Sequence, residues 1–215
     1  MNIQYWKDRY EKQGEKTVGC CSFSEKEFEE KTIDASGRLF SFMMKNKIRG
    51  EKLLDFGCGY GRITGTYLPF CQQVFGIDVV PWAIEEAKDR YPTMNFYIFD
   101  GKKIPFSDGY FNVVLSWTVL QHIPKENIEK ICGEIVRVMA PGALLVICEN
   151  ISVWHSDKSH IWFRSSDRYK TLFNRMKLFD GQIIKGADGN DEHHVLMVFK
   201  KEAFVPEFQD STGDG

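Results

Sequence analysis

The fold of this chain is constrained most by a repeated order of segments through its middle: an apolar run, a break rich in glycine or proline, a helical stretch, then another apolar run. The runs at 51–56 (EKLLDF), 73–79 (QVFGIDV), 95–99, 110–116 and 143–148 are short, largely apolar and bounded by turn residues, as buried strands are. Pro81 opens a helix at its favoured first position, and Ile84, Ala87 and Tyr91 follow at helical spacing. Pro124 opens another, with Ile128, Ile131, Ile135 and Val138 on one face. Helices are also expected over 24–47, where Leu39, Phe40, Phe42 and Met43 form an apolar face, over 62–68, ended by Pro69, and over 169–177.

The last two runs, 178–185 and 194–200, are joined only by the turn-rich GADGNDE. A parallel crossover needs a dozen or more residues, so this pair is expected to be antiparallel. The fold class is therefore α/β: a three-layer sandwich around a Rossmann-like, mostly parallel seven-stranded sheet with one antiparallel strand near the C-terminal end. Such sheets bind ligands at the carboxyl ends of their strands, where the strand order reverses.

Composition narrows the function classes. Of 215 residues, 43% are hydrophobic and 27% charged, which excludes disorder of the whole chain. The net charge of −2 argues against a dedicated nucleic-acid binder. The six cysteines form no Cys-x-x-Cys pair and no zinc spacing, so no metal site is expected and the thiols suit a reducing compartment. The N-terminal stretch is polar and unlike a signal peptide, and no apolar run reaches the roughly 18 residues of a spanning helix. A cytoplasmic protein with no membrane partner is expected. Residues 1–37 read as an N-terminal cap or lid, 38–200 as the folded domain and 201–215 as a tail.

The chemistry concentrates after the first strand, at Asp55-Phe56-Gly57-Cys58-Gly59-Tyr60-Gly61. Alternate glycines permit positive φ and close approach of a ligand to the backbone. A phosphate-binding Walker loop would need Gly-Lys-Ser/Thr, and here Gly61 is followed by Arg62-Ile63. The dinucleotide fingerprint also fails, because Arg62 stands at its last glycine position. Asp78 ends the second strand, 21 residues after Gly57, where a carboxylate can accept both hydroxyls of a ribose. Asp100 ends the third, so three successive strands end in acids on one edge.

With LLDFGCGYGR (53–62), VFGIDVV (74–80), FDGKKIPFSDGYFNVVLSWTVLQHI (99–123) and MAPGALLVI (139–147), the sequence resembles the class I S-adenosylmethionine-dependent methyltransferases over about 38–150. The resemblance implies S-adenosyl-L-methionine as cofactor and S-adenosyl-L-homocysteine as product. It implies that Gly57, Cys58, Gly59 and Gly61 wrap the methionine part, with Asp55 supporting the loop. Asp78 would hold the ribose with Val79 beside the adenine, Asp100 and Gly101 would meet the adenine amine, and Ser116 and Trp117 would line the pocket near the methyl. Asn112 and Ala143 depart from the usual Asp and Gly, at positions not expected to touch the cofactor.

Acceptor recognition is expected from the segments outside that framework. His122, just after the fourth strand, is the candidate general base. Tyr5, Trp6 and Tyr10 are candidate lid residues, and Trp154, Arg164 and Arg168 lie in an aromatic, basic segment suited to an anionic or aromatic acceptor. The expected reaction is methyl transfer to an oxygen or nitrogen of a small molecule. The competing readings are a methyltransferase of RNA or protein, a nicotinamide-dependent oxidoreductase, and a non-catalytic binding module on the same fold.

Overall fold

A computed structural model of the chain describes residues 3–14, 24–151, 160–185 and 193–202. Trp154, Cys20 and Cys21, singled out in the sequence, lie outside the described residues.

The elements run α1 (Ile3–Gln13), α2 (Glu25–Lys45), β1 (Gly50–Phe56), β2 (Cys71–Asp78), α3 (Pro81–Arg90), β3 (Asn95–Ile98), β4 (Phe111–Trp117), α4 (Lys125–Val138), β5 (Met139–Asn150), α5 (Ser166–Leu172), β6 (Met176–Lys185) and β7 (His193–Lys201). The sheet has seven strands in the order β3-β2-β1-β4-β5-β7-β6. All neighbours among the first five are parallel, and β7 runs antiparallel to both β5 and β6. This is the expected sheet with its one reversed strand. The order turns back between β1 and β4, which places the ligand crevice over the ends of those two strands.

Strand alternation divides the core. Leu53, Val113, Leu115, Val146 and Val198 face Leu39, Phe42 and Met43 of α2. Leu54, Val114, Leu145 and Ile147 face Ile128, Ile131 and Ile135 of α4 and Tyr169 of α5. Period two in the strands meets the helical period in α2 and α4, and so both faces are apolar. Gly76, in phase with Val74, leaves a gap: a Cβ there would come within 2.5 Å of the Phe96 ring and 2.9 Å of the Cys58 sulfur, so only glycine lets α3, β3 and the loop after β1 close together.

Local signals explain most element ends. Ser24 begins α2 with a reciprocal cap, accepting from the Glu27 N–H while its own N–H donates to the Glu27 carboxylate. The helix then runs unbroken through residue 38, so the N-terminal segment and the domain share it. Ser165 caps α5 through the Arg168 N–H at 3.2 Å, which starts that helix earlier than the expected 169–177.

The expected helix over 62–68 is not α-helical. A run of turns leads into a single 3₁₀ stretch, Thr64–Tyr67, with i→i+3 bonds such as Thr66 N–H to the Ile63 carbonyl. Gly61 at φ 82° cannot continue an α-helix, and the Thr64 hydroxyl is drawn to Asp55 at 2.7 Å. No helix among the described residues is long and apolar enough to cross a membrane, and no described group of three His, Cys, Asp or Glu is placed to hold a metal. Cys58, Cys71, Cys132 and Cys148 are free and buried, with burial pushing the Cys71 thiol up to about 11 and Cys132 up to about 12. Thiols held that far above neutral pH are inert.

Candidate active site

The loop after β1 takes the conformation its glycines allow. Gly57, Gly59 and Gly61 have φ of 77°, 55° and 82°. The Gly57 and Cys58 N–H groups both donate to the Ile77 carbonyl, which fastens the loop to the end of β2. At Gly57 a Cβ would stand 2.4 Å from the Val119 side chain, so the loop can approach the segment after β4 only with hydrogen at that position.

Two of the three strand-end acids are built into this loop. Asp55 is buried, accepts from the Thr64 hydroxyl, and is pushed up to about 7, chiefly by burial. That bond ties the 3₁₀ stretch to the end of β1. Asp78 accepts the Gly59 N–H on one carboxylate oxygen and the Val80 N–H on the other, each at 3.0 Å. Burial raises its carboxyl above the usual range while these N–H bonds oppose the shift. Asp100 is exposed: it accepts from the Lys102 and Lys103 N–H groups in a turn ahead of Ile104, and these bonds hold its carboxyl below the usual range. Gly101 follows at φ 77°.

α1 lies across this edge. Tyr10 packs against Trp82 with ring centroids 5.6 Å apart and joins Phe56, Tyr60, Val79 and Phe99 in the core. Trp6 meets the His122 ring edge-on at 4.7 Å, Tyr5 stacks on His160 at 4.3 Å, and the two histidine rings are parallel at 5.7 Å. Two of the three expected lid residues, Tyr5 and Trp6, therefore come together with the expected base in one aromatic cluster beyond the end of β4, while Tyr10 packs apart from it on Trp82.

Within that cluster the His122 Nδ1–H donates to the His160 carbonyl at 2.9 Å. Its Nε2 then carries the lone pair and receives the Gln121 amide at 3.2 Å. The Gln121 carbonyl oxygen is already taken by the Asn150 N–H, so the amide cannot turn around to welcome a protonated ring. Burial first, with the neighbouring positive groups, lowers His122 to about 4.

The arginines expected to hold an anionic acceptor are placed otherwise. Arg164 is buried and donates to the backbone carbonyls of Leu120, Ile123 and Trp162. Arg168 is at the surface, paired with Glu129 of α4 at 2.7 Å, and Lys170 pairs with Asp167. Much of the basic character of this segment is thus spent within the protein. The guanidinium of Arg164 is drawn inward to the carbonyls of Ile123 and Trp162 and shares that of Leu120 with the Ile123 N–H of the 3₁₀ turn.

Sequence reasoning missed the buried carboxylate on the other side of this turn. Glu149, fully buried near the end of β5, accepts N–H bonds from Val119, Leu120 and Gln121 and lies 3.4 Å from the Ser116 hydroxyl. Burial pushes its carboxyl up to about 7 against those three N–H bonds and the nearby Arg164. Carboxylate on the N–H side and guanidinium on the carbonyl side clamp the 3₁₀ turn Leu120–His122 between them. Thr118, entering it at φ 55°, carries the backbone cost of the turn. The available signal was a single carboxylate closing the apolar run ALLVICEN. Ser116, expected to line the pocket, faces Glu149, and Trp117 packs on the α2 side of the sheet.

Residues 54–147 match the family described as methyltransferase domain. Over that stretch, somewhat under half of the chain, the sequence is similar to methyltransferases. It is 31% identical over 119 residues to demethylmenaquinone methyltransferase of Tropheryma whipplei, covering 54% of this chain and 48% of that protein. It is 29% identical over 125 residues to sterol 4-C-methyltransferase strm-1 of Caenorhabditis elegans, covering 55% of this chain and 35% of the relative. The chain thus spans half or less of the length of these relatives. The PH0226 protein of Pyrococcus horikoshii OT3 shares the fold, with a TM-score of 0.68 at 18% identity over 91% of this chain and 99% of that one.

S-adenosyl-L-methionine, the cofactor of such methyltransferases, fits the residues present. The positive-φ glycine loop leaves backbone where side chains would stand. Asp78 is fixed by two amides at the end of β2, and the Tyr10 hydroxyl beside them is buried with no hydrogen-bond partner among the described residues. A buried hydroxyl without a partner costs about 1–3 kcal/mol. Asn112, one of the two departures from the family pattern, accepts the Glu51 and Lys52 N–H groups at the start of β1, at the end of the sheet away from the cofactor loop.

Proposed function

We propose that this protein is an S-adenosylmethionine-dependent methyltransferase that carries a methyl group to an oxygen or nitrogen of a small, flat, largely apolar acceptor. The observation that carries this reading is the glycine loop and amide-fixed Asp78 at the switch point of the sheet, faced by the ring cluster of Tyr5, Trp6, His122 and His160. When bound, the cofactor supplies an electrophilic methyl on a sulfonium that leaves as a neutral thioether. The chain's part is to hold and align. Gly57, Gly59 and Gly61 admit the methionine portion against the backbone, Asp78 accepts from the ribose, and Val79, Asp100 and Gly101 border the adenine.

Among the described residues the acceptor side presents rings, with the Arg9 guanidinium held against Tyr5 and Trp6. Aromatic faces favour planar ring compounds; demethylmenaquinone in one relative's name is of that kind, and sterol in another's is an apolar ring compound. His122 stays neutral near pH 7, so its Nε2 lone pair is the proton-accepting atom of the cluster. A hydroxyl acceptor would have to take the place of Gln121 to reach it, and alignment rather than base strength carries the rate. Arg164 and Arg168, spent on carbonyls and on Glu129, speak against an anionic acceptor group.

The test has two readings. S-adenosylhomocysteine at 100 times its dissociation constant should stabilise the protein by about 2.7 kcal/mol, and NAD should not. Labelled methyl transfer into fractionated cell extract should then place the label in the small-molecule fraction. Label in RNA or protein overturns the acceptor class, and a shift with NAD alone overturns the cofactor.

A further inference from the structure

Tyr10 is 5% exposed, and every contact around its ring would be met as well by phenylalanine. Its hydroxyl is what needs explaining, since it has no hydrogen-bond partner among the described residues. The hydroxyls of two other buried phenols, Tyr67 and Tyr169, also have no hydrogen-bond partner among the described residues, and each has a charged side chain near it, Asp55 and Arg164 respectively. Tyr10 faces Asp78, Cys58, Tyr60 and Arg62, the residues of the cofactor loop and of the acid beside it. Both Asp78 oxygens already accept a backbone N–H.

We propose that the Tyr10 hydroxyl donates a hydrogen bond to a ribose oxygen of the bound cofactor, which makes α1 part of the cofactor site. The inference rests on the cofactor reading above and deepens it. The chemistry is complementary. A carboxylate only accepts, so a ribose hydroxyl that gives its proton to Asp78 presents oxygen lone pairs that need a donor. Tyr10, coming from an element far away in sequence, supplies that donor. The ligand class recognised is a nucleoside with free ribose hydroxyls, and α1 closes on it with the aromatic contacts of Tyr5 and Trp6 already in place.

Tyr10→Phe separates this role from a packing role. The variant keeps the ring and removes the orphaned hydroxyl, so without ligand its melting temperature should equal or exceed that of the wild type. Its dissociation constants for S-adenosylhomocysteine and for adenosine, by calorimetry, should both rise about tenfold. Unchanged constants overturn the inference while leaving the cofactor reading in place. A ligand-free variant that melts well below the wild type also overturns it, because the hydroxyl then has a partner within the protein. If the wild type itself fails to bind S-adenosylhomocysteine, the cofactor reading falls and this inference falls with it.

Discussion

The two sides of the crevice are built by different means. Over β1 and β2 the shape comes from backbone: three glycines at positive φ, a carbonyl of β2 holding two loop amides, and a carboxylate whose oxygens are set by the N–H groups of Gly59 in the loop and of Val80. Over β4 and β5 the shape comes from two buried charged side chains that grip backbone from opposite sides. Leu120 shows it most plainly, with its N–H on Glu149 and its carbonyl on Arg164. Backbone geometry is a property of local sequence, and it suits a ligand common to a whole family. A clamp made of long-range side-chain contacts can change with one residue and suits the side where acceptors differ.

The largest effect should come from breaking the clamp. Arg164→Ala leaves three carbonyls and the Glu149 carboxylate without their cation, and should cost about 3–5 kcal/mol of stability in chemical denaturation. Because Leu120 is shared, Arg164→Ala and Glu149→Ala combined should cost less than the sum of the two. Additive losses would mean that the two sides of the turn are independent. Next, Asp78→Ala should weaken S-adenosylhomocysteine about a hundredfold, or about 2.7 kcal/mol, by calorimetry. An unchanged constant would refute the ribose role.

A smaller effect tests the ring cluster through pH. His122 is lowered from 6.5 to about 4 in the folded protein. Below 6.5 the unfolded chain therefore binds a proton that the folded chain refuses, and stability is lost as pH falls from about 6.5 towards 4. The wild type should lose about 2 kcal/mol more than His122→Asn between pH 7 and pH 4.5, read from melting curves of both. Parallel curves would show that the ring is free to protonate and that Gln121 does not hold it. The smallest effect is expected at Arg168→Ala, within about 0.5 kcal/mol in stability and without change in acceptor KM, since its partner Glu129 is an exposed surface group. A marked rise in KM would return Arg168 to the acceptor side.

What the sequence determined by itself is the part whose cause is local. Short, nearly continuous apolar runs report strands buried on both faces, prolines at 81 and 124 report helix starts, and glycines at 57, 59 and 61 report a loop that only glycine can make. These follow from backbone conformation and short-range spacing, so the sheet, its reversed strand and the glycine loop after β1 were legible. Tertiary structure alone decided the rest. Thr64 bonds Asp55 and Gly61 takes positive φ, which turns an expected helix into a 3₁₀ stretch. Arg164 looked like an acceptor ligand, yet its partners stand some forty residues back along the chain, at Leu120 and Ile123. A buried charge must find its partners wherever the fold leaves unsatisfied backbone, and where that is depends on how distant segments come together.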